Sequence, residues 1–138
     1  MRRSALLILA LPALCLSARA QTQSWMVGTW FGHGQPQDKA AMYIDRMRPD
    51  GTWRGEYRTC RRGEPVDQFQ TGRWAVNGDM LILSVETVDG VRAPRTDNYK
   101  MLEHSPNAQK YLSLGWNFSY TPQRVADDFQ MPSCELIS

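Results

Sequence analysis

A glycine stands two residues before a tryptophan at three places in this chain of 138 residues: Gly28-Thr29-Trp30, Gly51-Thr52-Trp53 and Gly72-Arg73-Trp74. The intervals between them are 23 and 21 residues. Glycine near the start of a strand lets another backbone or a large ring come close, and tryptophan supplies a wide apolar surface to cover it. Three such pairs in a short chain indicate a β-sheet closed around aromatic side chains.

The N-terminus has the pattern of a secretory leader. Two arginines precede an apolar run over residues 6–16, and Ala18-Arg19-Ala20 fits the small-x-small cleavage site of signal peptides. The apolar run is well short of the roughly 20 residues that a membrane-spanning helix needs. We therefore expect residues 1–20 to be a signal peptide cleaved before Gln21, a periplasmic or secreted protein, and one domain over residues 21–138.

Removal of the leader changes the charge balance. The whole chain has 16 basic and 14 acidic residues, and three of the arginines lie in the leader, so residues 21–138 have a formal net charge of −1. A net charge near zero gives no indication of a nucleic-acid partner. No second apolar run follows, so we expect a chain that does not span a membrane.

Cysteine and histidine usage predicts a disulfide and no metal site. Cys60 and Cys134 are the two cysteines outside the leader, and an even number in an oxidising compartment predicts that they pair. The two histidines, His33 and His104, lie in distant segments with no third ligand nearby.

The rest of the chain reads as short alternating segments broken by Gly, Pro, Asn and Asp, which is typical of antiparallel β-proteins. An up-and-down barrel of about eight strands is the simplest closure because it removes exposed edges. An open two-layer sandwich is the alternative. We expect one strand pair over residues 98–103 and 109–115, and a short helix near residues 126–129.

Two hairpins can be registered from their turns. A three-residue loop, Pro49-Asp50-Gly51, pairs Met47 with Trp53, Asp45 with Gly55 and Tyr43 with Tyr57. A two-residue turn at Asn77-Gly78 pairs Val76 with Asp79, Trp74 with Leu81, Gly72 with Leu83 and Gln70 with Val85. Each hairpin then has one aromatic or apolar face, as expected for a sheet with one buried side.

Several of these residues resemble the motifs of one family. Gly28-Thr29-Trp30 resembles the Gly-x-Trp motif of lipocalins and related calycin barrels, and Thr96-Asp97-Asn98-Tyr99 resembles their Thr-Asp-Tyr motif with one additional residue. Arg124 is similar in position to the arginine that packs on the first tryptophan, and Cys60–Cys134 resembles the strand-to-tail disulfide. The resemblance spans most of residues 25–134. It implies a lipocalin-like barrel in which Gly28, Trp30 and Arg124 are structural.

The aromatic face of the hairpins is the candidate ligand site. Tyr43, Trp53 and Tyr57 are expected to line a cavity for a small molecule, while Trp74 belongs to the core with Trp30. Asp45 falls on the same face, where a carboxylate must be paired, hydrogen-bonded or protonated, so it could orient a polar ligand group. Two alternatives stay open. The aromatic side chains could fill the barrel completely, and Asp45 could lie at a strand end.

Arginines concentrate in the first hairpin and the turn after it. This group is a candidate patch for an acidic partner and comprises Arg46, Arg54, Arg58, Arg61 and Arg62. The alternative is a solvated outer face whose charge is balanced by Glu56 and Glu64.

No motif of a catalytic site is present: there is no Gly-x-Ser-x-Gly and no free cysteine after the leader. We expect no enzyme and no cofactor, since Asp45 alone offers a titratable cavity floor. The first hypothesis is an exported lipocalin-like binding protein for a small apolar or amphipathic ligand. The alternative is an envelope barrel of the hydrolase-inhibitor type that binds a protein through its loops and the arginine-rich hairpin.

Overall fold

The computed structural model describes residues 23–35 and 41–134. A short 3-10 helix, Ser24–Met26, is followed by strands and turns, and the predicted signal peptide lies outside the described residues. The strands are β1 Gly28–His33, β2 Met42–Met47, β3 Thr52–Arg61, β4 Glu64–Asn77, β5 Met80–Val88, β6 Val91–His104, β7 Gln109–Ser113, β8 Phe118–Tyr120 and β9 Gln123–Val125. None of the helical structure in this part of the chain is long and apolar enough to cross a membrane.

All strands belong to one antiparallel sheet in the order β8-β7-β6-β5-β4-β3-β2-β1-β9. Neighbours in the sheet from β1 to β8 are neighbours in sequence, so the fold is the predicted up-and-down barrel and not a two-layer sandwich. The described residues form nine strands where about eight were predicted. The prediction missed β9, a segment of three residues that pairs with β1 and places Arg124 beside Trp30.

The edges of the curled sheet meet through an isolated bridge between Ala108 and Gln123. Two backbone hydrogen bonds flank it, from Gln109 to Pro122 at 3.0 Å and from Arg124 to Asn107 at 2.8 Å. We call this end of the barrel, with the β2–β3, β4–β5 and β6–β7 turns, the closed end. The β1–β2, β3–β4, β5–β6 and β7–β8 connections lie at the other end, which we call the open end.

Arg124 and Trp30 form the floor at the closed end. The guanidinium lies 4.3 Å from the ring centroid and donates hydrogen bonds to the carbonyls of Val27 at 2.7 Å, Trp25 at 3.1 Å and Pro106 at 2.6 Å. Gly28 has a φ of 139°, and the Arg124 guanidinium occupies the space where a Cβ on Gly28 would lie. A side chain at this position would therefore displace the arginine from the floor.

The three tryptophans of the repeated motif are all buried, and each indole N–H has a partner. Trp30 donates to the Met26 carbonyl and Trp74 to the Arg48 carbonyl, both at 2.9 Å. Trp53 instead donates to the carboxylate of Asp45. The motif therefore supplies the apolar core of the barrel together with Met26, Met47, Leu81, Leu83, Val85 and Met101.

The first hairpin has the predicted register, with Met47, Asp45 and Tyr43 opposite Trp53, Gly55 and Tyr57. The second register is wrong by two residues from Gly72 to Val76, since Trp74 pairs with Leu83 and not with Leu81. Beyond a bulge between Thr71 and Gly72 the error is three residues, and Gln70 pairs with Val88. Asn77 is still part of the strand, and the turn is formed by residues 78–79. A shift of two keeps every side chain on its predicted face, since strand side chains alternate with a period of two.

The segment after β9 is a tail that lies against the outer face of β1 to β3. The predicted helix at residues 126–129 is wrong, because this stretch forms only one turn, closed by a hydrogen bond from Phe129 to Ala126 at 3.0 Å. The predicted Cys60–Cys134 disulfide is confirmed and joins the tail to β3.

From the contacts of Arg124 we predict that a lysine at this position cannot replace its contribution to stability. Arg124→Lys keeps the charge but loses the planar fork that serves three carbonyls and the tryptophan face, so it should lower the free energy of unfolding by about 3 kcal/mol. Urea unfolding followed by tryptophan fluorescence measures this loss. Arg92→Lys, at an exposed position of β6, is the matched control. Equal stability of both variants would contradict the role assigned to the floor.

The disulfide closes a sequence separation of 74 residues. Replacing both cysteines, Cys60→Ser with Cys134→Ser, should lower the free energy of unfolding by about 2–4 kcal/mol because the unfolded chain gains freedom. Urea unfolding of both proteins with and without reductant provides the control, since reduced wild type and the double variant should coincide. A double variant as stable as the oxidised wild type would contradict the prediction.

Candidate functional site: a tyrosine-lined cavity

The barrel interior is apolar towards the closed end and hollow towards the open end. A cavity of about 450 Å³ opens between the loops of the open end. All five tyrosines of the chain line it: Tyr43, Tyr57, Tyr99, Tyr111 and Tyr120. Other residues that line it include Asp45, Arg58, Thr59, Leu83 and Trp116.

Asp45 lies at the deepest point that β2 contributes to the cavity. It is buried in the middle of the strand, paired with Trp30 on one side and Gly55 on the other, so the interpretation as a strand end is wrong. Its Oδ1 accepts a hydrogen bond of 2.9 Å from Trp53 Nε1. Within the described residues its second oxygen accepts no hydrogen bond, so this cavity-lining carboxylate keeps an unused acceptor.

Burial changes the acidity of this group. Removal from water raises the pKa of Asp45 from 3.8 to about 7, and the hydrogen bond from Trp53 opposes only part of that rise. The carboxyl group therefore changes its charge near neutral pH, although an ordinary aspartate is ionised throughout this range.

The tyrosine hydroxyls divide into two groups. Tyr111 donates a hydrogen bond of 3.0 Å to Tyr43, and the Gln35 amide donates one of 3.3 Å to Tyr120. In the part of the chain that the structure describes, the hydroxyls of Tyr57 and Tyr99 have no hydrogen-bond partner. These two hydroxyls and the second Asp45 oxygen are therefore available to a ligand.

Four of the cavity tyrosines remain neutral at physiological pH. Burial is the main cause that raises the pKa of Tyr43, Tyr57, Tyr99 and Tyr111 above the ordinary tyrosine value, and the nearby Asp45 carboxylate adds to it. The hydroxyls of Tyr57 and Tyr99 keep their protons and can therefore donate hydrogen bonds to a ligand.

Local sequence explains how these rings reach the interior. Inward positions alternate along each strand, so Trp53, Gly55 and Tyr57 share one face of β3. A Cβ on Gly55 would lie 2.7 Å from the Trp53 ring and 2.8 Å from the Tyr57 ring. The absence of a side chain at position 55 thus lets a core tryptophan and a cavity tyrosine lie close together opposite Asp45.

A second and broader depression adjoins the cavity towards solvent. It shares Tyr57, Tyr99, Trp116 and Tyr120 with the inner cavity, and it adds Leu114 and the Arg95–Asp97 ion pair at 3.1 Å. Trp116 is 71% exposed and Leu114 is 55% exposed. The rim of the entrance therefore carries apolar side chains next to the Arg95–Asp97 ion pair.

The predicted ligand-binding residues are only partly brought together. Tyr43, Asp45 and Tyr57 line the cavity, whereas Trp53 is 1% exposed, belongs to the core and donates a hydrogen bond to Asp45 from below the site. Sequence reasoning missed the residues Tyr99, Tyr111 and Tyr120. Alternation along β6 and β7 places Tyr99 on the face of Met101 and Tyr111 on the face of Gln109. This alternation in the sequence could have predicted that both tyrosines face the interior.

The arginines do not form one free patch. Arg46 lies 3.0 Å from Glu56 and donates to the Phe129 carbonyl at 2.8 Å. Arg58 makes two hydrogen bonds of 2.7 Å to Asp67, which lowers the pKa of that carboxyl, and a third of 3.0 Å to the Pro132 carbonyl. These two side chains hold the tail against the barrel.

The remaining members of the predicted patch lie apart. Arg54 contacts the ring of Phe69 at 5.5 Å on the outer face, while Arg61 and Arg62 are exposed at the β3–β4 turn. The charge of the group is therefore partly neutralised and spread over two places.

The histidines are separated as well. His104 stacks on Trp25 with ring centroids 3.9 Å apart, and His33 contacts the edge of Phe31 at 5.3 Å. Among residues 23–35 and 41–134, no three His, Cys, Asp or Glu side chains come together as a metal site.

The chain matches no protein-family model. A comparison with curated proteins gives no match either.

Because Asp45 is buried, we predict that its contribution to the free energy of unfolding falls as pH rises, the opposite of an aspartate that is stabilised by an ion pair. Between about pH 4 and about pH 7 folded Asp45 binds a proton that the unfolded chain has lost, so its contribution to stability falls as pH rises, by about 1.4 kcal/mol per unit. Asp45→Asn keeps an acceptor for Trp53 and removes this fall. The variant should exceed wild type by about 2–4 kcal/mol at about pH 8 and match it at about pH 4, as measured by urea unfolding.

Asp79→Asn is the matched control for this prediction. Asp79 lies at the closed end with 63% of its side chain exposed, so the variant should keep the pH dependence of wild type. Parallel curves for wild type and Asp45→Asn would show that the carboxyl titrates as an ordinary exposed aspartate.

Proposed function

We propose that this protein is an exported, lipocalin-like binding protein that holds a small apolar or amphipathic molecule in the tyrosine-lined cavity. The observation that carries the proposal is the gathering of all five tyrosines and Asp45 around one cavity of about 450 Å³. This volume is within the range of small-molecule sites, about 300–1,000 Å³, which combine aromatic walls with a few placed polar groups.

The chemistry of the lining supports a site over a packing defect. The end of a barrel that is filled for stability uses apolar side chains, as the closed end does with Trp30, Leu81 and Met101. The open half instead places hydroxyls and a carboxylate around a cavity. Polar groups in largely apolar surroundings are more favourable when they are hydrogen-bonded, and a bound molecule can supply the partners.

Two further features support export and a lipocalin-like kinship as part of the proposal. The Cys60–Cys134 disulfide is of the kind that persists in oxidising compartments, in keeping with the leader pattern at the N-terminus. The floor, in which Arg124 packs on Trp30 beside Gly28, has the arrangement that the resemblance to lipocalins implies.

The protein-binding alternative has less support. It assigned the contact to the loops and the arginine-rich hairpin, and in that hairpin Arg46 and Arg58 are engaged with Glu56, Asp67 and carbonyls of the tail. A small molecule in the cavity needs no rearrangement of these contacts.

Blocking the cavity should abolish binding without unfolding the protein. Thr59 lines the open end of the cavity on β3, so Thr59→Trp fills space that a ligand would occupy. Titration with the neutral fluorophore N-phenyl-naphthylamine should show enhanced emission with wild type and an affinity at least about tenfold lower with Thr59→Trp.

Thr71→Trp serves as the control because Thr71 is exposed and pairs with Thr87 across the outer face. This variant should bind the fluorophore as wild type does. Equal binding by Thr59→Trp and Thr71→Trp would place the fluorophore elsewhere and remove the support for a cavity ligand.

A further inference from the structure

We infer that the cavity is built for an organic ammonium compound, in which a protonated primary or secondary amine pairs with Asp45 and an aromatic or apolar body lies among the tyrosines. This inference rests on the proposed function and names the chemical class of its ligand. Four features of the site carry it: charge, hydrogen bonding, wall chemistry and the isolation of the carboxylate.

The cavity is negatively charged when Asp45 is ionised. Asp45 and Arg58 are the ionisable groups of its lining other than tyrosines, among the described residues. The Arg58 guanidinium is held outside by Asp67 and the Pro132 carbonyl, so it does not neutralise the interior. An anionic ligand would meet the Asp45 carboxylate without a compensating cation, and burial makes that repulsion strong.

The hydrogen-bonding capacity at the base of the cavity requires a donor. Trp53 occupies one oxygen of Asp45, and the other oxygen accepts nothing within the described chain. A purely apolar ligand would leave this oxygen buried without a partner, which is unfavourable. An ammonium group supplies both an N–H donor and the opposite charge, and such charge-assisted bonds are among the strongest.

The walls suit a cation with an attached ring. Tyr43 and Tyr57 stack at 6.4 Å, and Tyr99, Tyr111 and Tyr120 contact one another at 5.2 to 6.4 Å. Aromatic faces attract ammonium groups within about 6 Å and pack against ring systems. The exposed Trp116 at the entrance extends this aromatic surface.

A metal ion does not fit the same charge. Calcium takes six or more oxygen ligands and zinc takes four ligands, whereas Asp45 is the one carboxylate in the cavity lining of the described residues. The cation that matches one carboxylate and a set of aromatic rings is therefore organic.

Asp45 is the group of the site whose charge changes with pH near neutrality, because its named neighbours are uncharged or already paired. Trp30 on β1 and Trp53 on β3 are uncharged, and Tyr57 on β3, Tyr99 on β6 and Tyr111 on β7 face it as neutral phenols, like Tyr43 on its own strand. Tyr120 on β8 lines the same cavity, and Asp97 near Tyr57 and Tyr99 is paired with Arg95.

The test compares three probes of similar size and different charge: phenethylammonium, phenethyl alcohol and phenylacetate. Calorimetric titration of wild type at about pH 8 should show phenethylammonium binding about tenfold or more tighter than the alcohol, and phenylacetate weakest. In Asp45→Asn the ammonium should lose this advantage while the alcohol binds as before. Asp79→Asn should behave as wild type, which controls for a general change in net charge.

A pH series with wild type alone guards against failure of Asp45→Asn to fold. Phenethylammonium stays protonated between about pH 5 and about pH 8, while Asp45 becomes protonated below its pKa of about 7. The ammonium affinity should therefore fall by up to about tenfold per pH unit below that pKa, and the alcohol affinity should stay constant.

The outcomes separate this inference from the proposed function. If the alcohol binds wild type as tightly as the ammonium, or if the ammonium keeps its advantage in Asp45→Asn, the inference is overturned while the cavity remains a ligand site. If none of the three probes binds but N-phenyl-naphthylamine does, the inference is overturned and the cavity remains a ligand site. If the fluorophore also fails to bind, both the inference and the proposed function are overturned.

Discussion

The contact between Arg124 and Trp30 at the closed end is the interaction on which the rest of the barrel depends. It joins β9 to β1, and with the Ala108–Gln123 bridge it brings the two edges of the sheet together. An open sheet with an aromatic inner face would expose that face and two rows of unpaired backbone groups. Closure converts the inner face into an interior, which can then be divided into a packed part and a hollow part.

The division of the interior explains how the site can tolerate a buried acid. Towards the closed end, tryptophans and aliphatic residues form a continuous core that supplies most of the stability from burial. Towards the open end, tyrosines and Asp45 surround a cavity, where the Tyr57 and Tyr99 hydroxyls have no hydrogen-bond partner among the described residues. Asp45 lies at the boundary, where the Trp53 indole connects the two halves through one hydrogen bond. Such a local conflict between stability and polarity is typical of functional sites.

The outer face has a structural role that its charge alone did not reveal. Arg46 and Arg58 bind carbonyls of the tail, and the disulfide attaches the same tail to β3. The arginines thus resemble clamps for a segment of their own chain more than a surface for an acidic partner. A cluster of like charges in a sequence cannot distinguish these cases, because the partners of Arg46 and Arg58 in the tail lie 83 and 74 residues away.

The sequence by itself determined the fold class, the disulfide, the aromatic inner face and the register of the first hairpin. These follow from local rules, since alternation sets the faces and a three-residue loop sets the pairing of Asp45 with Gly55. The second hairpin kept its faces but not its pairing, because two adjacent turn positions around Gly78 satisfy the same local rules. Only the tertiary structure decided that Trp53 belongs to the core and that Tyr99, Tyr111 and Tyr120 join Tyr43 and Tyr57 around Asp45. That assembly depends on how far the sheet curls and where its edges meet, which is set by contacts between segments distant in sequence.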